Sequence, residues 1–427
     1  MSNNKDFEIT DGVLTGYAGS STDVIIPDSV TVIGNGAFDR RSIITSVTIP
    51  NTVTEIGGAA FRMCPYLQSV TIPDSITEIG HVAFFECKSL TSISIPDHLT
   101  KINEATFNEC SSLTSITIPD SVTEIGNDAF KNCTSLTSIT IPNGVTKIGG
   151  EAFEGCSSLT SITIPVSVTE IGSGAFADCP SLTTIVVSEG NQVYDSRNDC
   201  NAIIETETNK LIAACASTVI PDTVTEIDSQ GFQGCSSLAS ITIPDSVTSI
   251  GNCAFYECTS LSSIAISDSV TSIEAEAFGN CKSLSAVIIP DSVTCIGKNA
   301  FLGCSSLTSI DIPDSVTVIK SGVFARCSSL SVVKISNSVT EINSDTFRFC
   351  TSLSDVMIPD TVTSIGDRAF ADCSSLTTVI IPSSVTSIGE FAFSDCTSLS
   401  SITVPESVTS ISESAFSGSP VEKQIKR

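Results

Sequence analysis

Cysteine is the residue type whose number and spacing give this chain its clearest capacity for chemistry. The 427 residues include 18 cysteines, and 14 of them lie three residues after a regularly recurring phenylalanine. Converging thiols would bind a metal ion or exchange disulfides, but no Cys-x-x-Cys pair occurs and a 23-residue spacing is unlike a compact zinc site. Equivalent thiols in stacked repeats also point one way, which suits disulfide geometry poorly. We therefore expect no metal site, and 14 buried thiols that act as small apolar side chains: Cys64, Cys87, Cys110, Cys133, Cys156, Cys179, Cys235, Cys258, Cys281, Cys304, Cys327, Cys350, Cys373 and Cys396.

Histidine, a common general base, occurs only at His81 and His98. These residues lie three and nine residues before Phe84 and Phe107, so they fall at different places in adjacent repeats. Nothing in this spacing holds either histidine against a serine and a carboxylate. The sequence also lacks a phosphate-binding loop, a dinucleotide fingerprint and a His-Glu-x-x-His motif. It therefore predicts a protein that is not an enzyme and uses no cofactor.

Aspartate follows a turn proline, or the residue in its place, in ten repeats. A column of like charges one repeat apart would attract weakly bound Ca²⁺. Turn chemistry explains the same residues without a metal, because an aspartate side chain bonds its own nearby backbone. Both interpretations stay open for Asp28, Asp74, Asp97, Asp120, Asp222, Asp245, Asp268, Asp291, Asp314 and Asp360.

Net charge narrows the choice of partners. With 47 acidic and 20 basic side chains, the formal charge is −27, which repels nucleic acid and anionic membranes. No apolar run approaches the roughly 18 residues of a membrane span, so membrane insertion is not expected. The N-terminal MSNNKDFEIT lacks the features of a secretory signal. We therefore expect a protein that stays inside the cell, leaves by another route, or has already been trimmed.

Phenylalanine sets the period of the chain. From Phe38 to Phe176 it recurs with a 23-residue period, and after a longer gap the same period resumes from Phe232 to Phe416, which makes 16 positions. The gap equals one period plus the length of segment 188–220, so a single insertion interrupts the array. A repeat array grows as one continuous body, and the length therefore does not indicate two or three unrelated domains.

Residues 112–134, SLTSITIPDSVTEIGNDAFKNCT, show the pattern within one repeat. The alternation up to Ile118 predicts a strand with one buried face, and Pro119-Asp120 predicts the turn that ends it. The corner at Gly126 is glycine in ten repeats, so we expect a positive φ there. Residues 127–133 have room for a turn or two of α- or 3₁₀-helix. Because so small a unit cannot bury its apolar side alone, the predicted fold is a β-solenoid of about 16 coils with parallel strand pairing.

The repeat wording I-P-x-S-V-T-x-I-G-x-x-A-F-x-x-C-x-S-L resembles the BspA-type leucine-rich repeat over roughly residues 24–418. The resemblance implies an α/β leucine-rich-repeat solenoid, with the parallel sheet on its concave face and short helical or 3₁₀ segments elsewhere. It also implies a surface or secreted protein of host-associated microbes that adheres to host matrix proteins or cells. Pro-Asp-Ser replaces the usual Asn or Cys after the strand, so no buried Asn ladder is expected.

The insertion divides the predicted organisation into an N-terminal cap (1–23), a first repeat block (24–187), the insertion (188–220), a second block (221–418) and a tail (419–427). Two apolar runs, 202–204 and 211–213, flank a polar stretch and predict a β-hairpin flap that projects from the solenoid. Cys200 and Cys215 lie symmetrically about its midpoint. They either form a cross-strand disulfide or are small apolar residues under the flap.

The outward strand positions, such as Ser115 and Thr117 in the repeat of Phe130, alternate with buried isoleucine and face the concave solvent. In the first block they carry hydroxyl groups, which favours either a solvated Thr-rich sheet or a grid like that of ice-binding solenoids. The grid comprises Ser46, Thr48, Ser69, Thr71, Ser92, Ser94, Ser115, Thr117, Ser138, Thr140, Ser161 and Thr163.

The second block departs from this hydroxyl rule, and Ile288, Asp311, Lys334, Met357 and Ile380 occupy one column of consecutive repeats. Apolar residues with charges between them suit a protein-binding patch, and we include Asp355 in it. Random substitution in repeats under little constraint would give the same pattern. We therefore expect a non-catalytic protein-binding scaffold, most simply a surface or secreted adhesin that contacts host matrix or cell-surface proteins. The alternatives are an ice-binding solenoid and an intracellular interaction scaffold.

Overall fold

The computed structural model describes residues 4–425, and the outermost residues of the predicted cap and tail, 1–3 and 426–427, lie outside this range. Over the described residues the chain is a β-solenoid of about 17 turns of ~23 residues, with parallel sheets and almost no helix. The helices in this range are two 3₁₀ segments, Asn4–Asp6 and Arg197–Asp199, and the α-helical turn Glu422–Ile425. The chain forms two compact units, the first up to Glu207 with Ala213–Ser217 and the second comprising Thr208–Ile212 and the residues from Thr218 onward.

Two kinds of strand alternate along the solenoid. In the first unit the longer strands are Asp23–Ile25, Ser46–Thr48, Ser69–Thr71, Ser92–Ser94, Ser115–Thr117, Ser161–Ile164 and Thr184–Val187. Its two-residue strands are Val32–Ile33, Glu55–Ile56, Glu78–Ile79, Lys101–Ile102, Glu124–Ile125, Lys147–Ile148 and Glu170–Ile171. In the second unit the longer strands are Ser240–Thr242, Ser263–Ala265, Ala286–Ile288, Ser309–Asp311, Val332–Lys334, Thr378–Ile380 and Ser401–Thr403. Its two-residue strands are Glu226–Ile227, Ser249–Ile250, Ser272–Ile273, Cys295–Ile296, Val318–Ile319, Glu341–Ile342, Ser364–Ile365, Ser387–Ile388 and Ser410–Ile411.

Strand pairing joins equivalent residues of successive repeats in parallel. Ser115 and Ile116 lie opposite Ser92 and Ile93, so like residues stack on like. Within the strand Ile116 is buried, whereas Ser115 on one side of it is exposed. Because the side chains of a strand alternate between its faces, this register keeps the isoleucines inside and the hydroxyl side chains outside. The strand ends where predicted, since Val122 N donates to Pro119 O (3.1 Å) and closes a turn.

The predicted helical segment is wrong, and a ladder of turns stands in its place. Two residues before and after nearly every core phenylalanine, the backbone is left-handed, as at Asp128 (φ 55°) and Asn132 (φ 58°). Alternate amides therefore point out of the repeat, and Phe130 N donates to Ala152 O of the next repeat (2.8 Å). The amides between them close local turns, such as Lys131 N to Asp128 O (3.1 Å). A helix would satisfy these groups within the segment, whereas the ladder uses half of them to join repeats.

The expectation of a positive φ at the glycine corner is also wrong. Gly126 has no positive φ, but a Cβ added there would lie 2.7 Å from the backbone nitrogen of Glu104 in the preceding repeat. Gly57, at the same repeat position, would place a Cβ 2.8 Å from Asn35 N. At these two corners glycine is favoured because two backbones approach closely, not because of its φ.

The core consists of stacked side chains of one type. In the first unit the rings from Phe38 to Phe176 lie 5.0–5.7 Å apart with interplanar angles of 3–14°. In the second unit the rings from Phe232 to Phe416 form an equivalent stack, 4.8–5.7 Å apart. Offset stacking of aromatic rings is favourable beyond the burial of their surface, so each added repeat extends the same interaction.

Two segments of the chain, the N-terminus and the insertion, add strands that precede a two-residue strand. At the N-terminus Phe7–Thr10 pairs antiparallel with Val13–Tyr17, and Val13–Leu14 pairs in parallel with Val32–Ile33. The insertion contains the strands Tyr194–Asp195, Ala202–Glu205 and Lys210–Ala214. Its last strand pairs Lys210 and Leu211 in parallel with Glu226 and Ile227.

The expectation that the inserted hairpin projects as a flap is wrong. Ala202, Ile203, Ile204 and Leu211 are fully buried. These apolar side chains would be exposed to water on a free hairpin, so the insertion is held in the stack, and Lys210–Leu211 takes the place of a two-residue strand.

Candidate binding surface

The strand face, defined as the outward side chains of the longer strands, carries hydroxyl groups in the first unit. Thr48 and Thr71 lie opposite each other on paired strands, as do Ser161 and Thr184. Ser46 is half-buried and its Oγ donates to Asp23 Oδ1 (2.6 Å), and the other members of the predicted grid are exposed. Residues 138–140 keep the alternation of burial but are not assigned as a strand.

In the second unit the same positions form an exposed apolar column. Ile288 and Met357 are 81% exposed and Ile380 is 73% exposed. Ile288 lies opposite Ala265 on a paired strand, and Met357 forms a parallel bridge to Ile380. A single exposed apolar side chain is ordinary, whereas several at one repeat position keep a larger apolar surface in water and are informative.

An ion pair separates the two ends of this column. Lys334 Nζ lies 2.9 Å from Asp311 Oδ1 and 3.2 Å from Asp311 Oδ2, and both side chains are exposed. The hydrogen bond from Lys334 to the Asp311 carboxylate raises the pKa of that lysine. Because the charges neutralise each other, the column between Ile288 and Met357 presents little net charge to a partner. Asp355, the remaining predicted member, is exposed two residues before Met357.

The structure adds Val332 to the residues named from sequence. Its side chain is 60% exposed and lies on the same strand as Lys334. It belongs to the neighbouring outward column, and its departure from the Ser or Thr of other repeats was the available signal. We define the strand-face patch as Ile288, Val332, Met357 and Ile380 with the Asp311–Lys334 ion pair.

The thiol column is buried and also forms hydrogen bonds, which the spacing of the cysteines does not predict. Cys304 Sγ donates to Phe278 O of the preceding repeat (3.2 Å), and equivalent contacts recur along both units. In the last repeat Ser419 Oγ replaces the thiol and donates to Phe393 O (2.6 Å). Burial raises the pKa of the Cys110 and Cys281 thiols to about 12. These groups stay protonated and poorly nucleophilic, so they stabilise the stack and do not form a reactive site.

The remaining candidates do not converge on a site. His98 Nε2 lies 2.7 Å from the carbonyl oxygen of Asp74, and His81 is exposed. Cys200 and Cys215 are buried thiols without a disulfide between them; Cys215 Sγ contacts Asn201 O (3.4 Å) and Ser217 Oγ (3.2 Å). The turn aspartates are all exposed. Across residues 4–425 no group of three or more His, Cys, Asp or Glu side chains is arranged to hold a metal ion.

The repeat sequence matches a known protein family. The model of the BspA-type leucine-rich repeat region matches residues 9–136, 77–205, 203–331 and 318–426, which together cover nearly the whole chain. The chain belongs to the BspA-type leucine-rich repeat family. Each repeat described above, with its strand, its turn proline and its core phenylalanine and cysteine, is thus one unit of this family.

Several solved structures are similar to this BspA-type solenoid. A leucine-rich cell surface protein from Faecalibacterium prausnitzii A2-165 is 36% identical, with 78% of this chain and 92% of that chain covered and a TM-score of 0.69. A leucine-rich repeat protein from Bacteroides ovatus ATCC 8483 is 29% identical, with 96% and 90% covered and a TM-score of 0.49. The pneumococcal vaccine antigen PcpA is 21% identical, with 86% and 94% covered and a TM-score of 0.52, and this likeness shows the fold alone.

A search of curated proteins found no significant match. Among the described residues of the BspA-type chain, none of the helices has the length and apolar character needed to cross a membrane.

The strand face of the second unit has the composition of a candidate binding surface. The strand-face patch combines exposed apolar side chains with an internally neutralised ion pair, and parallel pairing joins Asp311 to Lys334 and Met357 to Ile380. Interfaces between proteins are built from such apolar centres with polar surroundings. The candidate functional surface is therefore the strand face of the second unit.

Proposed function

We propose that this BspA-type protein is a non-catalytic protein-binding scaffold at a bacterial surface, an adhesin that contacts host matrix or cell-surface proteins. The contact is made through the strand-face patch of the second unit. The single observation that carries the proposal is the column of Ile288, Met357 and Ile380, which occupy the same position of their repeats and are 73–81% exposed. The likeness to a protein described as a cell surface protein supports the location.

The energetics of the patch support a partner protein. A large aliphatic side chain contributes about 1.5–3 kcal/mol when it is transferred fully from water into an interface. Three such side chains in one column, with Val332 beside them, would supply the apolar centre of an interface. The Asp311–Lys334 pair would lie at its middle, where it restricts the choice of partner more than it adds affinity.

The matched variants restore the hydroxyl residue found at the same position in the first unit. Ile288→Thr, Met357→Thr and Ile380→Thr together remove the apolar column and keep high β propensity. Binding would be measured against purified matrix and cell-surface proteins. We expect the triple variant to bind at least about tenfold more weakly, with an unchanged unfolding temperature.

The control substitutes the corresponding position of the first unit, Thr117→Ile, which adds an apolar side chain outside the patch. It should leave binding unchanged. Undiminished binding by the triple variant would refute the assignment of the patch, and equal loss in the control would show a nonspecific effect of the strand face.

A second candidate, ice binding, rests on the exposed hydroxyl grid of the first unit, whose members lie in register on paired strands. The grid is less regular than a lattice match requires, because Ile25 and Val186 interrupt it at its ends. The test is thermal hysteresis of the purified protein.

A further inference from the structure

A cluster of arginine and phenylalanine side chains lies on the turn segments of four consecutive repeats in the second unit. The guanidinium carbons of Arg326 and Arg348 lie 5.0 Å and 4.8 Å from the centroid of the Phe349 ring. In the following repeats, the guanidinium carbon of Arg368 lies 5.4 Å from the ring of Phe391. We call these five residues the arginine–phenylalanine cluster. It belongs to the turn ladder and not to the strands of the strand-face patch.

Two arginines of this cluster lack an anionic partner. Within residues 4–425 neither Arg326 nor Arg368 forms an ion pair or a side-chain hydrogen bond, and both are exposed. Arg348 differs, because its Nη1 lies 3.2 Å from Asp345 Oδ1 and its Nε lies 3.9 Å from Asp372 Oδ2. Arg326 and Arg368 are therefore two exposed guanidinium groups without an ion pair in a chain of net charge −27.

The two phenylalanines occupy backbone that aromatic residues rarely adopt. Phe349 has φ 61°, at the ladder position of Asn132 and Gly155 in other repeats, and Phe391 has φ 57°, at the position of Asp128 and Gly174. The inter-repeat ladder imposes this backbone in nearly every repeat, so the unusual feature here is the aromatic side chain and not the φ value. Each ring holds a guanidinium group by a cation–π contact. A stacked guanidinium keeps its N–H donors in its own plane, where they remain available to an acceptor.

We propose that the arginine–phenylalanine cluster is a docking site for an acidic peptide segment. Its carboxylates bind Arg326 and Arg368, whose donor forks match carboxylate geometry. An apolar side chain of the same segment enters a depression of about 220 Å³ lined by Leu302, Ala325 and Phe349. An acidic glycan fits less well, because a sugar ring needs an open aromatic face and Phe349 already has two guanidinium groups within 5.0 Å.

The probe is a fluorescein-labelled peptide of alternating glutamate and leucine, titrated with the full chain and followed by fluorescence anisotropy. We expect Arg326→Gln with Arg368→Gln to weaken binding at least about tenfold, and wild-type binding to weaken as salt is added. Arg40→Gln is the matched control, since Arg40 occupies the same ladder position as Arg326 (φ 58°) outside the cluster. It should bind like the wild type.

Phe349→Asn with Phe391→Asn separates binding from folding. Asparagine tolerates left-handed backbone, so this variant should be at least as stable as the wild type while it binds the peptide several-fold more weakly. Unchanged peptide binding by the double arginine variant would overturn the proposal. So would tighter binding of heparin, a sulfated glycan, than of the peptide, or self-association of the chain that the double arginine variant abolishes. The triple threonine variant of the strand-face patch should leave peptide binding intact, so the two proposals fail independently.

Discussion

The thiol column makes a quantitative prediction about reactivity. Burial raises the pKa of Cys281 from an ordinary value of 9.0 to about 12, which lowers its thiolate fraction near pH 8 by about a thousandfold. The thiolate is the reactive species, so this factor multiplies the steric protection that burial already provides. Of the 18 cysteines, only Cys253 and Cys295 are half-buried, and the other 16 are buried. At pH 8, Ellman's reagent should therefore modify these two thiols of the native protein quickly, and the other 16 only as the solenoid unfolds.

Cys253→Ser with Cys295→Ser is the control, and this variant should lose the fast phase entirely. In guanidinium chloride without a reductant, all 18 thiols should react, because all 18 cysteines lie within residues 4–425 and none forms a disulfide there. Fast reaction of many column thiols in the native protein would refute the burial argument. Fewer than 18 thiols after unfolding would show that Cys200 and Cys215, or another pair, are joined.

Three further predictions test the fold and the alternative function. Gly57→Ala should lower the free energy of unfolding, measured by urea denaturation, by about 1–3 kcal/mol, because the added Cβ would lie 2.8 Å from Asn35 N. Gly58→Ala is the control and should be neutral, because its Cβ would lie 3.4 Å from the nearest atom. Burial raises the pKa of Glu154, which lies beside Lys131 and Glu151, to about 7. The folded state therefore retains a proton that the unfolded state loses near pH 4.5. The contribution of Glu154 to the free energy of unfolding consequently falls as the pH rises from about 4.5 to about 7. Glu154→Gln removes that loss, and its stability relative to wild type should rise by about 1 kcal/mol from pH 5 to pH 8; a constant difference would contradict the burial argument. The purified protein should show no thermal hysteresis, and a measurable value would favour ice binding over adhesion.

Local patterns in the sequence predict much of the fold. The 23-residue recurrence of phenylalanine and the alternation around Ile116 depend only on which side chains must be buried, and burial of these residues is what the structure shows. The family resemblance is confirmed by the match over residues 9–426. Pro119 ends its strand because proline has no backbone N–H to donate, which is again a local property.

What the sequence does not predict depends on the neighbouring repeat. The left-handed positions around Phe130 exist because Asp128 N and Asn132 N donate to the next repeat, at 3.0 Å and 2.7 Å. The residue types there are too varied to reveal this, since Val82, Arg368 and Phe391 occupy equivalent backbone. Gly126 is likewise needed because of the approach of Glu104, which no property of its own segment indicates. The patch residues were named from departures in an otherwise regular column, and their role as a binding site stays a prediction.

Site-specific photo-crosslinking tests the central claim most directly. A benzoylphenylalanine at position 357 lies in the strand-face patch, and one at position 117 occupies the same repeat position in the hydroxyl surface of the first unit. With a matrix or cell-surface protein that binds the wild type, we predict a crosslink from position 357 and none from position 117. A crosslink from position 117 alone, or equal yields from both positions, would contradict the assignment of binding to the second unit's strand face.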